Sequence, residues 1–330
     1  MIRPMSRTVI YLLISFSLLL SGQSSSSAPL TQSAKILWVP MEGTVELGLS
    51  PYIKRSLDYA SENGFDAVVL DIDTFGGRVD AAVTIRDALL DSPLQTVAWV
   101  NKRAISAGAL ISLACKKIFY TPGSTMGAAT PIQVGGDGEA KSVDNKIVSY
   151  FRAEMGSTAE RNGRNRKLAE AMVLATDDIP GLVKKGDVLT LTDKTALENK
   201  MSDGTIATKE ELIRKLGFDN PTIEIFEINW AEQIVRFVTE PTVSGLLMSA
   251  GILGLFLEFQ SPGFGLPGIV GISCLALFFF GKWIVHLAEW QEVILLLLGI
   301  ILIMIEIFLL PGKIIAGAAG ALLVFLALFL

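Results

Sequence analysis

From residue 30 to about 240, the apolar positions switch between short continuous runs and helical spacing, and each switch marks an element. The run ILWV predicts a strand over Lys35 to Pro40. Tyr52, Ile53, Leu57, Tyr59 and Ala60 fall on one side of a helix over Ser50 to Asn63, which Gly64 stops. DAVVLDID predicts a buried strand over Asp66 to Asp73, with Gly76-Gly77 as a turn after it. Val79, Ala82, Ile85 and Leu89 share a face of a helix over Arg78 to Leu90, ended by Asp91-Ser92-Pro93. Thr96 to Asn101 is the next strand, Ile105 to Cys115 a helix of small residues, and Lys117 to Tyr120 a further strand. Strands alternating with helices at this spacing predict an α/β domain with a mostly parallel sheet covered by helices.

The second half of that region is more broken. Pro122 to Gly127 is a turn-rich segment, and Gly135 to Lys141 (GGDGEAK) is polar, glycine-rich and expected to be mobile. Helical spacing returns over Val143 to Met155, with Ile147, Tyr150, Phe151 and Met155 on one side, and again over Arg166 to Leu174. Val188 to Leu191 and Thr222 to Ile228 read as strands, and Thr195 to Asn199 and Lys209 to Leu216 as short helices. Asn229 to Phe237 is an amphipathic helix leading to a membrane, with Trp230 as interfacial anchor.

Residues 242–330 are overwhelmingly apolar and fall into four stretches, about 243–259, 264–281, 290–310 and 311–330, expected to cross a lipid bilayer. They contain a weak repeat. Glu258, Pro262-Gly263, Gly268 and Gly271 match Glu306, Pro311-Gly312, Gly317 and Gly320, with identical spacing from the proline on. Two helical hairpins bent at Pro-Gly explain it. Glu258 and Glu306 are expected near helix ends, where a carboxylate reaches headgroups. His286, between Trp283 and Trp290, reads as an interfacial residue. The N-terminus has the form of an export signal over residues 1–28: Arg3 and Arg7, an apolar core from Val9 to Leu20, then small polar residues. Residues 30–240 are therefore expected outside the cytoplasm. Four spans would then put the loop at Lys313 on the cytoplasmic side, which the positive-inside rule favours.

A net charge of -5 with no long basic run gives no sign of nucleic-acid binding. Two cysteines, Cys115 and Cys274, one in each region, predict neither a disulfide nor a structural zinc site.

The chemistry centres on Ser106, in Arg-Ala-Ile-Ser-Ala-Gly-Ala between a predicted strand and a predicted helix. A serine hydroxyl needs a base within hydrogen-bond reach, and the one histidine lies among the apolar stretches. Lys146, opening the helix after the glycine-rich stretch, is the base candidate, with Lys141 and Lys102 as alternatives. Free lysine titrates near ~10.4 and is protonated at neutral pH. A lysine sealed behind apolar neighbours such as Ile147, with substrate covering it, could act as a base because desolvation penalises the ammonium. Gly76 and Gly77 could present backbone N–H groups to an oxyanion, joined by the N–H of Ala107, while Ala107 and Gly108 leave room for substrate. Each feature has a plainer reading. A Ser-Ala-Gly sequence is commonly a helix N-cap, a Gly-Gly pair a tight turn, and a lysine a solvated charge.

Four ordered stretches carry a resemblance. They are Asp71-Ile-Asp-Thr-Phe-Gly-Gly-Arg, Asn101-Lys-Arg-Ala-Ile-Ser-Ala-Gly-Ala-Leu, Pro122-Gly-Ser-Thr-Met-Gly-Ala-Ala-Thr-Pro-Ile and Glu258-Phe-Gln-Ser-Pro-Gly-Phe-Gly-Leu-Pro-Gly. From about residue 35 to 330 the chain resembles the NfeD family of membrane-bound serine proteases of the ClpP class. The resemblance implies a ClpP/crotonase-like spiral of ββα units followed by a membrane domain of about four helices. It implies a serine–lysine dyad of Ser106 and Lys146, with the glycine pair at Gly76 and Gly77 and no metal or cofactor. The implied substrates are polypeptides with an apolar segment, in stomatin- or prohibitin-like membrane proteins, and the implied assembly is a homo-oligomer. Phe75 stands where relatives commonly have proline, and the OB-fold domain that many relatives carry after the last span is expected to have no counterpart. Three other functions compete: an inactive scaffold for a stomatin-like partner, acyl-CoA chemistry on the same fold, and transport through the apolar helices.

Overall fold

The computed structural model describes residues 34–134, 140–260, 265–284, 290–308 and 315–329. The expected signal segment, most of the glycine-rich stretch beginning at Gly135, both Pro-Gly bends and His286 lie outside the described residues.

Three 11-residue strands form the centre: β1 (Lys35–Val45), β2 (Ala67–Gly77) and β3 (Gln95–Ile105). They run parallel, and the sheet continues through β4 (Lys117–Tyr120) to β9 (Gly204–Thr205) on one side and to β10 (Thr222–Ile225) on the other, in the order β10-β1-β2-β3-β4-β9. β5 (Thr125–Gly127) extends β3 in parallel, and β8 (Thr190–Thr192) pairs β5 antiparallel. The central strands are apolar without alternation because both sheet faces are covered. Leu37, Val39, Val68 and Leu70 face one buried cluster, packed under α1 (Leu49–Glu62), α2 (Val79–Asp91) and α3 (Ala107–Ala114). Ile36, Trp38, Val69, Val97 and Trp99 face another, closed by Leu212 and Ile213 of a short helix at Lys209–Lys215. Asp71 sits within β2 because Trp38 Nε1 and Asn101 Nδ2 both donate to it at 3.0 Å.

The strands run further than the hydrophobic pattern indicates. Their polar ends, Met41–Val45, Thr74–Gly77 and Arg103–Ile105, are held by mutual pairing, with register shifts at Glu42/Thr44 and Ile72/Asp73. Gly76-Gly77, expected as a turn, therefore belongs to the end of β2 and pairs Thr44 and Val45. A separate hairpin of β6 (Ile132–Val134) and β7 (Ala140–Ser142) flanks the glycine-rich stretch. Next comes α4 (Asn145–Arg161), started by the Asp144 side chain accepting from the Lys146 N–H at 2.8 Å.

A ten-residue helix α5 (Trp230–Thr239) leads to four apolar helices: α6 (Pro241–Gln260), α7 (Leu266–Ile284), α8 (Trp290–Phe308) and α9 (Ile315–Phe329). Among the described residues, Pro241–Glu258 and Leu266–Ile284 are long and apolar enough to cross a membrane, at mean hydropathy 1.4 and 1.6. Ile294–Ile303 and Ile315–Ala327 are shorter apolar segments. The helices pack as two hairpins, α6 on α7 with Gly254 against Gly271, and α8 on α9 with Gly299 against Gly320. The repeat recurs in the contacts. Glu258 accepts from the N–H groups of Gly265 (2.7 Å) and Gly268 (2.9 Å), and Glu306 from those of Ala316 (3.2 Å) and Gly317 (3.3 Å). Both glutamates are buried and bind the start of the next helix instead of reaching outward, contrary to the sequence expectation.

Candidate active site

Ser106 is the hinge between β3 and α3, and its backbone is held in an unusual state, φ 56° and ψ -117°. A non-glycine residue with positive φ costs about 1–3 kcal/mol and persists only where the surroundings enforce it. They do so here from both sides. The Ser106 N–H donates to Gly127 O of β5 at 2.9 Å, and its carbonyl accepts from Ala109 N–H at 2.9 Å to start α3. It occupies the N-cap position, yet its side chain makes no capping hydrogen bond, so the plainer N-cap reading is not what the hydroxyl does. Ser106 is thus a strained residue at a strand-to-helix turn whose hydroxyl takes no part in capping the helix.

Gly76 faces it. A Cβ on Gly76 would lie 2.5 Å from Ser106 Cβ, 2.9 Å from Ile105 O and 3.1 Å from Ser106 Oγ, and its φ of +103° also demands glycine. Gly77 is pressed on its other side against the Val45 backbone, with no space for a side chain. The Gly76 N–H is already engaged, donating to Thr74 Oγ1 at 2.9 Å. Ala107 is the first residue of α3. It and Gly108 are buried instead of leaving room for substrate, and Gly108 is small because Thr74 Cγ2 would stand 2.5 Å from its Cβ. Thr74 thus supports both the glycine pair and the serine helix. A single threonine next to Phe75 gives no sequence signal for that role.

Lys146 is the second residue of α4, with its side chain exposed and without an ion pair among the described residues. Ile147, expected to seal it, is 44% exposed. The apolar side chains at this helix start instead line a groove of about 600 Å³ between α2 and α4, formed by Arg78, Val79, Asp80, Val83, Ile147 and Tyr150. In sequence, its lining residues begin one position after Gly77 on one wall and one position after Lys146 on the other. Asp80 is tied to Arg78 at 2.6 Å; burial pushes its carboxyl up, but the Arg78 bond and charge outweigh this and hold it below its usual value. Burial, with the Glu154 carboxylate, pushes the Tyr150 phenol above its usual range.

The alternative lysines are placed differently. Lys102 donates to Asp73 Oδ2 at 3.0 Å, and Lys141 lies in β7. Phe75 is 73% exposed beside the glycine pair, with the Arg103 guanidinium 4.3 Å above its ring.

The molecule is thus a mostly parallel α/β domain followed by apolar helices, and the α/β part shares its fold with the 1510-N membrane-bound stomatin-specific protease. A lysine-to-alanine form of that protease in complex with a substrate peptide aligns at TM-score 0.56 and 22% identity, covering 64% of this chain and all of that one. The 1510-N protease from Pyrococcus horikoshii, specific for a stomatin homologue, aligns at TM-score 0.50 and 21% identity over 63% of this chain and all of that one. The chain belongs to the NfeD family: residues 35–226 match the NfeD1b N-terminal domain and residues 242–330 the NfeD integral membrane domain. It is 40% identical over 293 residues to membrane protein NfeD1b of Bacillus subtilis, covering 88% of this chain and 66% of that protein. It is 28% identical over 247 residues to membrane-bound protease PH1510 of Pyrococcus horikoshii, covering 69% and 53%. The chain therefore spans less than two thirds of the length of either relative. These likenesses place it in a membrane-protein family that includes a protease.

Proposed function

We propose that this protein is a membrane-bound serine endopeptidase working outside the cytoplasm through a Ser106–Lys146 dyad. The observation that carries the reading is Ser106 itself: a strained turn that exempts its hydroxyl from capping and holds it against a side-chain-free Gly76. Relationship to a membrane-bound protease supports it.

In this reading an apolar stretch of substrate lies in the groove over Val79, Val83, Ile147 and Tyr150. Covering Lys146 in this way removes water from its amine, which favours the neutral form that can accept a proton. Ser106 Oγ attacks the peptide carbonyl carbon as its proton passes to Lys146 Nζ. The carbonyl oxygen becomes an oxyanion facing the N–H groups of Gly77 and Ala107. The C–N bond breaks as Lys146 delivers that proton to the leaving amine. Water then attacks the acyl-enzyme, losing a proton to Lys146, and Ser106 Oγ departs with that proton. The substrate class is an apolar segment of a stomatin- or prohibitin-like membrane protein, in line with the specificity of the 1510-N protease.

The test is cleavage of an apolar peptide, and of a stomatin-like protein co-reconstituted in lipid, by the purified full chain. Ser106→Ala and Lys146→Ala should each lower kcat by ~10³-fold or more. Retained cleavage in either variant refutes the dyad. The exposure of Lys146 favours a second reading, a scaffold that binds the same partner without cutting it. Failure of a fluorophosphonate to label Ser106 in the presence of an apolar peptide, with partner binding intact, would select the scaffold.

A further inference from the structure

The ten residues of α5, WAEQIVRFVT, bury Val235 and Val238 but also carry a second apolar stripe outward, which a helix on a water-soluble surface lacks. Such a helix turns its charges to solvent and its apolar residues inward. Here both charged residues are paired with the α/β domain. Arg236 Nε donates to Glu46 Oε1 at 2.7 Å, and Arg55 donates two bonds of 2.6 Å to Glu232. Glu46 is 2% exposed and also accepts from Thr239 Oγ1 at 3.1 Å. The outward face is Trp230, Gln233, Ile234 and Phe237, an i, i+3, i+4, i+7 stripe without charge. Trp230 is 76%, Phe237 65% and Ile234 43% exposed.

The position of α5 says what covers that stripe. Only Glu240 separates it from α6, and adjacent Cα atoms are ~3.8 Å apart, so α5 ends where the first membrane segment starts. The far end of α7 returns to the same place: a Cβ on Gly281 would lie 2.6 Å from Val238 Cγ2. Lys282 and Trp283 follow there, the residue types that mark headgroup level.

We propose that the Trp230–Ile234–Phe237 face is a lipid-binding site seated at the headgroup–acyl boundary, and that Glu46 transmits this seat to the Ser106 site. Glu46 follows Val45, which pairs Gly77 and accepts from Arg78 N–H at 2.8 Å. Gly76, next in β2, abuts Ser106. The bilayer then fixes the height and tilt of the nucleophile. This holds whether or not the site cleaves peptides.

The test uses the full chain in phosphatidylcholine/phosphatidylglycerol nanodiscs. The fluorescence difference between wild type and Trp230→Phe isolates one indole from Trp38, Trp99, Trp283 and Trp290. Lipids brominated near the headgroup should quench that difference strongly, and aqueous iodide weakly. Quenching by iodide alone, or by neither agent, overturns the lipid seat; the latter would mean that another protein surface covers the face. For the second half, a donor on Phe75→Cys in a Cys274→Ala background reports distance to acceptor headgroups. Phe237→Glu should broaden that distance distribution. An unchanged distribution, in a variant whose Trp230 has lost its bromine quenching, overturns the transmission.

Discussion

Gly76 and Ser106 occupy complementary halves of one space, with the position of a Gly76 Cβ only 2.5 Å from the Ser106 Cβ. The nearest obstacles are the serine itself and Ile105 O, neither of which is the free end of a flexible side chain. Gly76→Ala should therefore destabilise by about 1–3 kcal/mol through overpacking. It should also displace Ser106, and a shift of ~1 Å in a reacting group can cost ~10²-fold. Denaturant unfolding and the rate of fluorophosphonate labelling measure the two effects. Normal labelling would show that the glycine pair does not shape the nucleophile.

Strain at Ser106 can be separated from its chemistry. Ser106→Ala and Ser106→Gly both remove the hydroxyl, but only glycine accepts φ 56°, ψ -117° without penalty. Relief of about 1–3 kcal/mol of strain exceeds the roughly 0.5–1 kcal/mol entropic cost of glycine. Ser106→Gly should be more stable than Ser106→Ala by about 1 kcal/mol, read as the shift in unfolding midpoint. Equal stability would mean the turn is relaxed.

What the sequence disclosed follows the same physics. ILWV and VVLDI are legible as strands because burial on both sheet faces makes them continuously apolar. Helix ends at Gly64 and Asp91-Ser92-Pro93 are legible because glycine and proline act locally. Ser106 is legible through its small neighbours. The polar strand ends at Met41–Val45 and Thr74–Gly77 were not, because partner strands hold them, and so Gly76 reads as a turn in sequence but lies in a strand. The start of α4 at Asp144 placed Lys146, but side-chain cover depends on tertiary packing, and Ile147 faces the groove opening instead.

Cys115 gives a pH prediction. Burial pushes its thiol up to about 12, from an ordinary value near 9.0. The folded protein then binds a proton that the unfolded chain releases above pH ~9, so this contribution is intact below that value and is lost as pH rises towards 12. Iodoacetamide at pH 9 should leave Cys115 unmodified until denaturant is added, as read by peptide mass mapping. Alkaline unfolding should set in later in Cys115→Ala than in the parent, once their stabilities at pH 7 are matched by denaturant. Rapid alkylation of native Cys115 would contradict its burial.

The paired glutamates give the last prediction, because each holds the start of the helix that follows it. Among the described residues, Glu258 accepts backbone N–H bonds at 2.7 and 2.9 Å, and Glu306 accepts bonds at 3.2 and 3.3 Å. Each carboxylate satisfies orphan donors at the start of the next helix, where the helix dipole also favours negative charge. Glu258→Ala leaves those donors buried without an acceptor and should cost about 2 kcal/mol. Glu258→Gln keeps one acceptor oxygen but loses the charge, and should cost about half as much. Glu306→Ala should also destabilise, because it takes an acceptor from the Ala316 and Gly317 N–H groups. Each glutamate serves its own hairpin, so the double variant should be close to additive. Unfolding of the full chain in mixed micelles, followed by circular dichroism, measures all four variants. A neutral Glu258→Ala would rule out capping and return the carboxylate to a role at the lipid headgroups.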